Sequence, residues 1–126
     1  MNNLVQFLAV GIAGFCGAIS RYALAKLCGQ LFGTAFPVGT FIINVTGSLG
    51  LGWLMTYAPL RAGFSDTVRL AIGVGFLGAF TTFSTWMYES NKQLADGAGI
   101  QATVNILGSV VVGLVAIRLG IWMGSR

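Results

Sequence analysis

Residues 75–86 read GFLGAFTTFSTW, and they sit in a run without charge from Leu70 to Tyr88. A run of this kind belongs to a membrane-spanning helix, which needs ~20 mostly apolar residues. Yet Thr81, Thr82, Ser84 and Thr85 crowd into it. At ~100° per residue, Thr81, Ser84 and Thr85 share one face of a regular helix, Phe83 and Trp86 the opposite face, and Thr82 lies between. Gly73, Gly75 and Gly78 come just before. Glycines followed by paired β-branched threonines predict a weakened, interrupted helix. Broken membrane helices free backbone groups from which ion sites are built, and such backbone must be buried in protein or line a cavity. The spelling Gly73-Val-Gly75-Phe-Leu-Gly78 also matches a dinucleotide-binding string, but no strand or βα unit surrounds it, so that reading is rejected.

The rest of the chain is of the same kind. Of 126 residues, 56% are hydrophobic and 8% charged, against about 25% charged in a soluble domain. Nothing here could coat a water-facing surface. Four segments are long enough to span, roughly Leu4–Leu27, Phe36–Tyr57, Val68–Leu94 and Ile100–Met123. Their connections, with Pro37, Pro59, Gly63 and the Asp96-Gly97-Ala98-Gly99 turn, leave no room for a soluble domain. Open sheets cannot live in lipid, and the alternating strands of a barrel are absent. The expected fold is an all-α membrane protein, one domain over residues 1–126 with four transmembrane helices, the third broken near its middle.

The start, Met-Asn-Asn, lacks the basic region of a signal peptide, so the first segment is read as a retained helix. Cys16 and Cys28 share that helix about 18 Å apart, too far to bridge. There is no His, so metal or His-based catalysis is poorly supplied and no enzyme is expected. The formal charge is +4, but the basic residues are scattered, without the cluster that binds nucleic acid.

With four spans both termini share one side, which holds Arg61, Arg69, Arg118 and Arg126; the other side holds Arg21, Lys26 and Lys92. Lys and Arg normally accumulate on the cytoplasmic side, and this near-balance gives almost no orientation signal. A chain that inserts both ways can form an antiparallel dimer. Small or polar stripes fit close helix contacts: Gly14, Gly17, Ala18 and Arg21 on the first helix, Thr40, Asn44, Gly47 and Ser48 on the second, Gln101, Asn105, Gly108 and Ser109 on the fourth.

The acids Asp66, Glu89 and Asp96 all fall at the expected segment ends. A proton-coupled exporter usually wants an acid in mid-membrane. What remains is amides, hydroxyls and the positive edges of aromatic rings. Such donors suit a small hydrated anion without trapping it, and conduction needs release. The residues themselves lead to a narrow pore for a small ion or polar solute, an anion by preference, and no further.

Three motifs then carry a resemblance. Gly14-Phe-Cys-Gly17-Ala18-Ile-Ser-Arg21-Tyr22, Gly39-Thr40-Phe-Ile-Ile-Asn44-Val-Thr46-Gly47 and Gly75-Phe-Leu-Gly78-Ala-Phe-Thr81-Thr82-Phe83-Ser84-Thr85-Trp86 occur in order. Together they resemble the Fluc (CrcB-type) fluoride channel family along essentially the whole chain. The resemblance implies a dual-topology antiparallel homodimer with two pores that passively export cytoplasmic fluoride across the cell (inner or plasma) membrane. It implies a structural sodium ion at the dimer centre, held by the backbone carbonyls of Gly78 and Thr81. It implies Asn44 as an amide donor to fluoride, the Phe83 ring edge facing the anion, Thr82, Ser84 and Thr85 as a hydroxyl track, and Ser109 as a pore serine.

Trp86 stands where the family has a second phenylalanine, Ala79 where a glycine is common, and Gly113 where a fourth-helix threonine is expected. Arg21 is read either as a vestibule residue or as a structural arginine near the membrane edge. Competing readings are a small dual-topology multidrug transporter, which would want a carboxylate in the first helix, and a non-transporting membrane subunit.

Overall fold

The computed structural model describes residues 2–126, with side chains from residue 3. Met1, where the reading of the chain start begins, lies outside them. Among the described residues every regular element is helical. Helix α1 runs without interruption over Asn2–Phe32. It stops at Gly33, whose φ of +75° is a left-handed conformation that glycine adopts at little cost. The Gly33 N–H closes onto the Gly29 carbonyl at 3.1 Å. This helix outlasts the expected segment because Cys28, Leu31 and Phe32 stay apolar until that glycine.

Pro37 precedes α2 (Val38–Tyr57), and a short 3₁₀ turn (Ala58–Leu60) follows it. The third span starts at a Ser65 cap, whose hydroxyl accepts the Val68 N–H at 3.3 Å. It then changes character three times. Helix α3 (Asp66–Leu70) leads into a π-helical stretch (Ala71–Leu77), then the single turn α4 (Gly78–Phe80). The chain bends at 81–83 and resumes as α5 (Ser84–Ala95). Gly97, at φ +76°, closes α5. Its N–H reaches the Leu94 carbonyl at 3.1 Å and the Ala98 N–H reaches Gln93 at 2.8 Å, a paired C-cap. Helix α6 (Gly99–Gly124) completes the fold.

Four stretches are long and apolar enough to cross a membrane: Asn3–Phe32, Val38–Leu60, Asp66–Ala95 and Gly99–Gly124. The chain is therefore a multi-pass membrane protein with a broken third span. The break was expected; the π-helical stretch before it was not. Gly73 and Gly75 lie inside that stretch, where the missing side chains weaken the hold of α-helical geometry.

Backbone-to-backbone packing organises the bundle. A methyl on Gly52 would overlap the Ile117 carbonyl, and one on Gly120 the Leu49 carbonyl, so α2 and α6 meet along their backbones. Gly17 on α1 likewise admits the Phe76 carbonyl. The interior is thin: Ile43, Leu54 and Asn105 are its largest fully buried side chains. Cys16 and Cys28 are free thiols on α1.

This packing generates a paired prediction. Gly120→Ala must push α2 and α6 apart and should cost about 1–3 kcal/mol, read as a lower Tm in detergent. Gly108→Ala, with nothing within 4 Å of the added carbon, should leave the Tm unchanged. Equal melting of the two variants would contradict the α2–α6 contact.

Candidate functional site

The site grows from the break. Thr81 is extended (φ −77°, ψ 158°), which ends α4. Across from it, the Asn44 side chain on α2 grips the next residue by its backbone. Asn44 Nδ2 donates to the Thr82 carbonyl at 2.9 Å, and Asn44 Oδ1 accepts the Thr82 N–H at 2.8 Å. In a continuous helix that N–H would bond the Gly78 carbonyl. The Thr85 N–H, which would bond Thr81, goes instead to Thr82 Oγ1 at 3.3 Å. The Gly78 and Thr81 carbonyls thus lose their regular helical donors. Between them, the Ala79 carbonyl accepts from Arg21 Nε at 3.1 Å. Arg21 therefore sits on the break itself. Gly47 makes room for Thr81, since a methyl there would overlap the threonine Cγ2.

Beside the break lies a cavity of about 340 Å³. Asn44, Thr81, Thr82, Phe83, Trp86 and Ser109 line it, Gly78 borders it, and no charged side chain does. Its hydroxyl protons rest on nearby acceptors: Thr81 on the Leu77 carbonyl at 3.0 Å, Ser48 on Asn44 at 2.7 Å, Ser109 on Asn105 Oδ1 at 3.4 Å. Each can rotate toward an incoming acceptor. The Trp86 Nε1–H donates to the Asn105 carbonyl at 3.3 Å, and Phe83 meets the Trp86 ring edge-on at 5.7 Å.

Two of the hydroxyls lie elsewhere. Ser84 is exposed on this single chain and borders no cavity described here. Thr85 lines a second cavity of about 490 Å³ with Thr40, Glu89 and Gln93. Glu89 also departs from expectation. It lies inside the third span, ~9 Å from the end of α5, half-buried, and accepts the Thr40 hydroxyl at 2.9 Å. Placing it at a segment end overlooked that the expected span itself runs five residues further, to Leu94. Ser90 and Gln93 were missed as well. The signal for Gln93 was present, since Thr85, Glu89 and Gln93 recur at helical spacing.

Residues 8–121 match the family described as CrcB-like protein, Camphor Resistance (CrcB). The chain belongs to the CrcB-like family. A protein of Chloroflexus aurantiacus named fluoride-specific ion channel FluC is 45% identical over 124 residues, 98% of this chain and 96% of its own length. A Geobacter protein (strain M21) of that name is 41% identical over 116 residues, 92% of this chain and 94% of its own. One from Trichlorobacter lovleyi is 43% identical over 115 residues, 90% of this chain and 92% of its own. These CrcB-like relatives are named as channels, not as enzymes.

The clamp on Thr82 is open to test. Asn44→Leu keeps most of the volume and strands both backbone groups of Thr82, which should cost about 1–3 kcal/mol. The expected readout is a Tm several degrees lower in detergent, while Thr82→Ser, which keeps the backbone pair, melts like the unmodified protein. An Asn44→Leu variant of unchanged Tm would show that the break stands without the clamp.

Proposed function

We propose that the chain is a passive, fluoride-selective channel that lets cytoplasmic fluoride leave down its electrochemical gradient. The observation that carries this reading is the uncharged, donor-lined cavity at the broken helix, in a chain whose relatives are named fluoride-specific ion channels. A small anion gives up hydration water only where donors replace it. One Asn44 Nδ2 hydrogen is committed to Thr82, and the other is free for the anion. The Thr82 and Ser109 hydroxyls and the Phe83 ring edge extend the set, and Thr85 continues it into the second cavity. Trp86 adds a larger ring and an N–H that can leave the Asn105 carbonyl. No charged side chain lines the cavity, so the anion is held loosely enough to move on.

A second copy of the chain in the opposite orientation completes the pores in this reading, giving two per dimer. Phe83 is 70% exposed on one chain, beside non-helical backbone that lipid would not tolerate. A partner covering this face removes the conflict, and the balanced Lys and Arg count permits opposite insertion. The carbonyls of Gly78 and Thr81, deprived of helical donors, fit a hard cation, which takes oxygen ligands. A sodium ion held there by both copies would supply positive charge against the ends of four carbonyl dipoles.

Fluoride efflux tests the reading. Vesicles carrying the protein, loaded with potassium fluoride and given valinomycin, should release fluoride quickly and retain chloride under the same conditions. No release from folded protein would overturn it in favour of a non-transporting subunit. Asn44→Asp replaces the donor by a second acceptor and should slow release at least about tenfold; unmodified rates in that variant would take Asn44 out of the pore. The sodium ion has its own test. A ligand that binds only the folded protein raises the Tm as its concentration rises. Sodium should therefore raise the Tm where choline does not, and a Tm indifferent to sodium would remove the ion.

A further inference from the structure

Asn105 on α6 is 1% exposed and anchors a hydrogen-bond network whose polarity can be deduced. Ser90 has one hydroxyl proton, and it goes to the Trp86 carbonyl at 2.8 Å. The Ser90 oxygen must therefore accept, so Asn105 presents Nδ2 to it, at 3.0 Å. The same Nδ2 faces Gln93 Oε1 at 3.5 Å. Gln93 accordingly turns its carbonyl oxygen to Asn105 and keeps its amide nitrogen for something else. That nitrogen has no partner, although Gln93 is only 9% exposed. A buried donor is costly unless something accepts from it.

The side chain with this orphan donor lines the cavity of about 490 Å³ that Thr85 also lines. At the other end of the network, Ser109 lines the cavity at the break and donates to Asn105 Oδ1 at 3.4 Å. The network thus bridges one cavity to the other. Gln93 is eight residues beyond Thr85 on α5, about 12 Å along the axis. One ion cannot touch both, so they mark successive positions.

We propose that Gln93 Nε2 donates to the transported anion in this second cavity, an outer stop beyond the hydroxyl track. The inference rests on the fluoride-channel reading. The other polar groups of the cavity shape the stop. Glu89 Oε2 is buried without a partner, and one water can donate to it and to the anion together. The anion then arrives partly hydrated. Asp96 and Lys92 also border the cavity, so one carboxylate charge is offset and the other is not. A neutral donor in such company holds an anion weakly, as a position of transit requires.

Vesicle efflux with side-chain replacements decides the matter. Gln93→Met has nearly the same shape and no donor, while Gln93→Asn keeps a shorter one. With Tm and elution unchanged, Gln93→Met should release fluoride about tenfold more slowly at low internal fluoride. The gap should narrow as fluoride rises, and Gln93→Asn should fall between. Efflux from Gln93→Met within about twofold of the unmodified rate would overturn the stop and leave the channel reading standing. A lowered Tm with uniformly slow efflux would show Gln93 to be structural and overturn it too. If the unmodified protein releases no fluoride, the channel reading fails and this inference fails with it.

Discussion

A helix cannot be opened inside a bilayer unless the freed backbone finds partners, and Asn44 supplies them at Thr82. Its side-chain amide copies the donor and acceptor of a neighbouring strand, at 2.9 and 2.8 Å. That pairing keeps Thr82 out of the helical ladder, which in turn strips Gly78 of its regular donor. Arg21 covers Ala79 from α1, so charge from outside the break stabilises one carbonyl and leaves its neighbours for another ligand. Remove the amide, and both backbone groups of Thr82 lose these partners. The residue expected to greet an anion is therefore first a structural clamp, with one hydrogen to spare.

Much of this was legible from residue patterns. The charge-free runs marked four spans, and the glycines before paired threonines marked the break. A continuous helical wheel, however, could not carry face assignments across it. Thr81 is extended, so the phase of α5 is set afresh, and Ser84 and Thr85 no longer share a cavity with Thr81. The π-helical stretch was illegible for a related reason: it follows from how close α1 comes at Gly17 and Gly75, a tertiary fact. The place of Glu89 inside the span, by contrast, was legible: the expected span runs to Leu94 and α5 ends at Ala95, so five or six residues of helix follow it on either reading.

The distribution of charge follows one logic. The cavity at the break has donors and no charged side chain, while two carboxylates and a lysine line the second cavity. The Ser48, Thr81 and Ser109 hydroxyls cost little at rest, because each of these protons has a local acceptor. They become available by rotation of a single bond, without moving a helix. A lysine or arginine side chain lining the cavity would need a permanent counter-charge, and a passing anion would have to compete with it.

The thin bundle bears on how so small a chain can hold such a site. Glycine contacts bring α2 against α6 and α1 against the third span with almost no side-chain core between them. Close backbones leave little volume, so buried polar groups such as Asn105 coexist with polar and aromatic residues left at the surface of one chain. Phe83 and Ser84 show the consequence, exposed next to opened backbone. In the proposed antiparallel pair, the surface that lipid cannot satisfy on one chain becomes the interior of two.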